Sequence, residues 1–396
     1  MKIVYLAENF FTRRDYYRYG IEELIGQSKF EVEVWDISRI IHPDVNFNYS
    51  EFKHIPINDN CNIIRLNSLY DFQKRVLKTS VFYCMVLIAF NLKTLPFFKI
   101  LAFYDIKCIS TGIGMINVQP KFNYRLINTQ SGLKKLYNLT LRRLLSLSKM
   151  YFYLILIRYY KIVFFETYFL SGGLKTSVDN ILVSKKTRLI RLHSNNYDIH
   201  LREHKNFKKL MNNNYDIYID QNIPVSSDSI LRGEKLSIPA KKYYQELNRF
   251  FESLEKVTRR EIIISAHPKC NLDQLKKYNP NRRIVFSSNS ANDIFFAKNV
   301  IVCYSMAISF AILYKKNLIL ITNTSINNYK KSILNGISKY LKINYVNISE
   351  QFEIKNSFIT DKSRYSAYLN DFITPSLDND TLFSLQIFNF MNSAHR

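Results

Sequence analysis

Short apolar runs alternate along the chain with longer stretches whose apolar residues recur at helical spacing. The short runs predict buried strands, and the longer period predicts helices packed on them. Lys2–Ala7 reads as a first strand, Asp15–Gln27 as a helix and Phe30–Ser38 as a second strand. Asn62–Leu66 is the next strand, Leu69–Asn91 a long helical run, and Ile106–Ile109 another strand. Asn123–Tyr160 reads as a long helical region, with strands after it at Ile162–Phe165 and Arg188–Leu192. A polar, basic stretch, Arg202–Asn214, precedes a second series. Strand Tyr215–Ile219, helix Lys241–Thr258 and strand Glu261–Ser265 are followed by strand Arg283–Phe286, helix Ala291–Lys298 and strand Val300–Cys303. A helix opens near Ser305, then come strand Leu318–Ile321, helix Asn328–Leu341 and a terminal helix, Leu382–Asn392. Strands alternating with helices in both halves predict an α/β protein of two parallel-sheet, Rossmann-like domains facing each other across a cleft. The boundaries expected are 1–205 and 206–375, with 376–396 a C-terminal helix returning to the first domain.

Composition adds a charge. The chain of 396 residues carries 56 Lys and Arg against 32 Asp and Glu, a formal +24. Such an excess fits an anionic partner, whether phosphate ligand, nucleic acid or acidic membrane, and it equally fits a general bias toward Lys, Asn, Ile, Tyr and Phe. The cysteines (Cys61, Cys84, Cys108, Cys270 and Cys303) are odd in number and form no CxxC pair, which argues against a disulfide framework or zinc site and for a reducing, cytoplasmic setting. The N-terminus lacks a signal-peptide core. The apolar run Val81–Leu92 is short of the ~20 residues a membrane span needs, and Met150–Phe165 is interrupted by Arg158 and Lys161. The region 132–161 mixes Leu and aromatic residues with Lys134, Lys135, Arg142, Arg143, Lys149, Arg158 and Lys161. It reads either as a basic amphipathic helix on an anionic membrane or as a helix with one face in the core.

The candidate chemistry gathers at strand ends. In Glu261–Cys270, EIIISAHPKC, an apolar strand delivers His267, Pro268 and Lys269 to its carboxyl end, where open α/β sheets bind ligands. Proline ends the strand there, which puts the histidine at the rim. Its expected task is a hydrogen bond or charge to a phosphate oxygen. Ser305, after strand Val300–Cys303, is expected to cap a helix whose free N–H groups attract anions. Ser288 and Ser290 would lie on the same rim. Asp220, ending the strand Tyr215–Ile219, is the first candidate for a catalytic acid or base, followed by Glu166 and Asp198, each read as ending a first-domain strand. The only DxD triplet, Asp378-Asn379-Asp380, falls in a polar turn, so no metal site is expected. Gly112-Ile113-Gly114 lacks the spacing of a dinucleotide or P-loop signature.

Two α/β domains, an HP pair after a second-domain strand and a downstream serine opening a helix resemble the GT-B glycosyltransferases that use CMP-activated sugars. These are the bacterial sialyltransferases and the retaining β-Kdo transferases. The resemblance implies that His267 and Ser305 hold the nucleotide phosphate and that Asp220 is the catalytic acid. It also implies a CMP-linked sugar as donor substrate, no separate cofactor, and a glycan or lipid-linked glycan of the bacterial surface as acceptor, reached at the cytoplasmic side of the inner membrane. The sialyltransferase pattern of an acidic pair followed by glycine is absent, since Gln221-Asn222 follow Asp220. Sialic acid and Kdo therefore both stay open, as do inverting and retaining routes. A GT-B transferase using a UDP- or GDP-sugar is the first rival. A basic nucleic-acid-binding protein is the second, although no recognition module is visible and no nucleic acid is expected as partner.

Overall fold

In a computed structural model the described residues are 2–9, 11, 13–27, 31–43, 61–79, 82–112, 148, 151–157, 159–160, 165–176, 182, 187–207, 214–223, 239–267, 270–285, 290–324, 326, 328–354, 362–376 and 381–393. They form two parallel sheets. The first contains β1 (Lys2–Ala7), β2 (Glu31–Asp36), β3 (Cys61–Arg65), β4 (Phe82–Leu87), β5 (Lys107–Gly112), β6 (Phe165–Ser171) and β7 (Arg188–Leu192), in the order β3-β2-β1-β4-β5-β6-β7. The second contains β8 (Tyr215–Ile219), β9 (Glu261–Ser265), β10 (Ile284–Val285), β11 (Asn299–Val302), β12 (Asn317–Thr322) and β13 (Tyr345–Asn347), in the order β10-β9-β8-β11-β12-β13. In each sheet the chain starts at a central strand, builds outward on one side and then crosses to the other. The reversal leaves a crevice at the carboxyl ends of β1 and β4, and another at those of β8 and β11.

The central strands of the second sheet are largely apolar because helices cover both faces of a parallel sheet. Ile262, Ile263 and Ile264 of β9, and Val300, Ile301 and Val302 of β11, are fully buried. Helix Ala240–Thr258 lays Tyr243, Leu247, Phe250 and Leu254 against the second sheet at three- and four-residue spacing. The C-terminal helix Phe383–Ser393 belongs to the first sheet's core, where Phe383 and Ile387 join Ile3 and Tyr5.

Several expected elements differ. The run expected as one helix, Leu69–Asn91, is helix Leu69–Lys78 followed by β4. An unbroken apolar run does not by its periodicity separate a buried strand from a buried helix. Asp15–Gln27 is two helices, Arg13–Arg18 and Ile21–Gln27. They are parted at Gly20 (φ +61°), where an added Cβ would meet Ser384 Cβ at 2.5 Å. Most of the helical region expected over 123–160 lies outside the described residues; residues 151–157 are helical.

Backbone and side-chain contacts tie the halves together. Ser194 N–H donates to the Ile373 carbonyl (2.6 Å), and Asn196 Nδ2 donates to the Met306 carbonyl (2.8 Å). Leu174 and Lys175 N–H groups donate to the Asn370 and Asp371 carbonyls, and Lys175 Nζ pairs with Asp371 Oδ2 at 2.6 Å. Gly173 permits this approach, because a Cβ there would overlap the Asn370 carbonyl and the backbone of Asp371 and Phe372. Backbone atoms on both sides have little room to yield. Gly173→Ala is therefore expected to destabilise the protein by about 1–3 kcal/mol. Thermal melting checks this, and an unchanged melting temperature would show that the junction is not closely packed in solution.

Candidate active site

The second sheet's crevice collects the strongest chemistry. Asp220 directly follows β8, the strand from which this sheet grows both ways. Its N–H donates to the Ser265 carbonyl (3.0 Å), stitching it to β9. Its carboxylate is buried, at 3% exposure. Oδ1 accepts from Asn222 N–H (3.0 Å) and Oδ2 from His267 N–H (3.4 Å). Among the described residues no cation pairs with it. Burial pushes the Asp220 carboxyl up to about 6, against the pull of backbone N–H groups of Asn222, His267 and Gln221 that favour its charged form.

Gln221 reaches the other way. Its Oε1 accepts from Tyr304 N–H (3.2 Å), in the segment that follows β11. Two adjacent side chains thus hold the two flanking loops, Asp220 the one carrying His267 and Gln221 the one carrying Ser305. Ser305 Oγ accepts from Ala307 N–H (3.2 Å) and the Ser305 carbonyl from Ile308 N–H (3.2 Å). The expected helix cap is corrected here: the helix spans Ile308–Leu313, and Ser305 shapes the turn before it. Lys330, missed in the sequence, lies nearby as a buried lysine, its Nζ 5.5 Å from the centroid of the Tyr304 ring. Nothing in Asn328–Leu341 distinguishes it from the other helical lysines.

The remaining candidates fall elsewhere. Pro268, Lys269, Ser288 and the DxD triplet lie outside the described residues. Ser290 opens the helix Ser290–Phe296, which leads into β11. Glu166 was expected at a strand's end, but β6 runs on to Ser171. Glu166 therefore sits near the amino end of β6, where the register with β5 slips, away from the carboxyl rim. Asp198 was expected to end a strand and does not, since β7 stops at Leu192. It is buried in the first turn of helix Asn195–Glu203. Its Oδ1 lies 2.5 Å from His193 Nε2 and accepts from Phe383 N–H (2.8 Å), so it anchors the C-terminal helix.

The first sheet's crevice has its own acid, which sequence reasoning missed. Glu8 follows β1, and its Oε2 accepts from Ala89 N–H (3.0 Å), just past β4. Burial raises its carboxyl above the usual range despite that hydrogen bond. Its signal was present: Glu8 is the first polar residue after an apolar strand. Among the described residues no group of His, Cys, Asp and Glu is arranged to hold a metal ion.

Two parallel α/β sheets of this construction define the GT-B fold. The wall teichoic acid polymerase TagF, in a variant form, is similar over 99% of this chain and 88% of that one, at 12% identity and a TM-score of 0.50. A UDP-GlcNAc 2-epimerase from Methanocaldococcus jannaschii, in complex with UDP-GlcNAc and UDP, aligns over 99% of this chain and all of its own at 10% identity and a TM-score of 0.48. No family profile and no curated protein sequence matches the chain.

Proposed function

We propose that the chain is a glycosyltransferase whose donor is a nucleotide-activated sugar bound at the rim of the second sheet. The observation that carries this reading is Asp220: a buried carboxylate at the reversal point of a parallel sheet, with no ion pair among the described residues, whose burial raises its proton affinity. Perturbed acids of this kind concentrate at functional sites. On this reading His267 and Ser305, on the loops flanking Asp220, hold the phosphate of the leaving nucleotide, and Lys330 adds positive charge behind Tyr304. Asp220 takes the proton from the acceptor hydroxyl as that oxygen bonds to the anomeric carbon. The bond from that carbon to the phosphate oxygen breaks, and its electron pair leaves with the nucleotide. A carboxyl near 6 is suited to accepting a proton at neutral pH. Glu8, at the matching point of the first sheet, is the acceptor-side carboxylate.

The donor proposed is CMP-linked, Kdo or a sialic-acid-like sugar, and the acceptor a surface polysaccharide or lipopolysaccharide precursor at the inner membrane. Neutralising the single phosphate of CMP needs few protein donors and no metal. Calorimetry with CMP, UDP and GDP tests the choice. CMP binding without UDP or GDP binding is expected. Binding of UDP or GDP alone would transfer the reading to those donors. Salt-sensitive RNA or DNA binding that CMP did not displace would overturn the enzyme reading in favour of nucleic-acid binding.

A further inference from the structure

The first domain exposes an apolar surface that the transfer chemistry does not use. Helical residues 151–157, with Tyr159 also helical, are apolar on two opposite faces. The inner face is packed: Tyr153 meets the Phe90 ring at 5.7 Å, and Ile157 and Tyr160 lie on the first domain's core. The outer face, Tyr151, Ile155 and Tyr159 at four-residue spacing, is open, with Ile155 63% and Tyr159 76% exposed. Helix Leu95–Phe103 extends the same surface. Lys99 Nζ lies 4.1 Å from the centroid of the Tyr160 ring, which itself packs edge-on against Tyr159 at 5.0 Å, and Phe103, one turn further on, is 81% exposed. Contiguous exposed aromatic and aliphatic side chains on two adjoining helices are not ordinary solvent surface.

We infer that this surface docks on an anionic lipid bilayer, with Tyr151, Ile155, Tyr159 and Phe103 in the interface and lysines against the headgroups. Charge selects this occupant. Residues 150–160 contain no Asp or Glu and residues 92–105 contain only Asp105, while Lys93 is exposed next to Leu92 and Lys99 one turn before Phe103. A second copy of a chain of formal charge +24 would set lysine against lysine, whereas acidic lipid neutralises them. Tyrosine at the rim of an apolar face suits the headgroup boundary, where one end of the ring is wet. No described helix is long and apolar enough to cross a membrane, so the contact is interfacial.

The experiment is flotation of the full chain with vesicles of phosphatidylcholine alone and with added phosphatidylglycerol, using wild type, Ile155→Asp/Tyr159→Asp and Lys93→Glu/Lys99→Glu. Wild type is expected to float with the acidic vesicles. The first variant should bind them roughly a hundredfold more weakly, having lost two inserted side chains. The second should lose its preference for acidic lipid. Both replace exposed residues, so thermal melting should match wild type, and nucleotide binding at the second sheet should be unchanged. Failure of lipid binding with nucleotide binding intact refutes only the docking surface. It is also refuted by undiminished flotation of the first variant, by equal binding to neutral vesicles, or by a wild-type dimer that this variant dissolves.

Discussion

Asp220→Asn is expected to lose transfer by roughly a hundred- to ten-thousandfold while melting no lower than wild type. The pairing of these results separates a catalytic acid from a structural one. A carboxyl that only closed an Asx turn would stabilise the fold, and its removal would lower the melting temperature. Asp220 instead has its carboxyl raised from 3.8 to about 6. Because the folded state binds this proton more tightly than the unfolded state, the contribution to stability is full below 3.8 and is lost as pH rises through about 6. At pH 8 the ionised group costs at most about 3 kcal/mol. Asparagine removes that charge but places a donor against one of two N–H groups, most easily the more distant one, of His267 at 3.4 Å. The net gain is then smaller than the full value, and its sign is stabilising or neutral. The wild-type rate should fall as pH drops through about 6, when the carboxyl gains its proton. A fully active variant, or one that melts several degrees lower, would return Asp220 to a purely structural role.

His267→Ala is expected to weaken donor binding by roughly ten- to a hundredfold, the range for one hydrogen bond to a charged group. The fold should survive. His267 is only partly buried, and its backbone holds the loop through its N–H to Asp220 and its carbonyl, which accepts from Cys270 N–H (2.9 Å). Loss of the imidazole leaves both bonds in place. Calorimetric titration with the nucleotide reads the effect, and equal affinity in wild type and variant would remove the histidine from the phosphate site. Asp220→Asn should keep nucleotide affinity, so the two variants divide binding from transfer.

Much of this arrangement was legible locally. The strands Lys2–Ala7, Arg188–Leu192, Tyr215–Ile219 and Glu261–Ser265 have the limits read from the sequence. Each is a run with clear punctuation at its ends, and the residues after the last two, Asp220 and His267, meet at one rim. Where punctuation was missing or misleading, the reading failed. β4 disappeared into the apolar run that follows Lys78. Glu166 looked like a strand's end because one polar residue interrupts an apolar run, yet the strand continues past it. Ser305 has the chemistry of a cap, but a turn separates it from the helix. Asp198 lay in a polar stretch that resembled a rim loop, whereas its partner Phe383 is 185 positions away and invisible to local pattern. Gln221 with Tyr304 and Glu8 with Ala89 were hidden for the same reason: their meaning is a contact across a sheet's crevice, 83 and 81 positions apart.

The central claim is that the rim between the loops of His267 and Ser305 holds the nucleotide's phosphate, with Asp220 beneath it. A crystal structure of the protein soaked with CMP tests it most directly. The phosphate is expected within hydrogen-bonding distance of the His267 imidazole and the Ser305 hydroxyl or the adjoining backbone. Nucleotide bound clearly at another place, such as the crevice of the first sheet, with this rim empty, would contradict it.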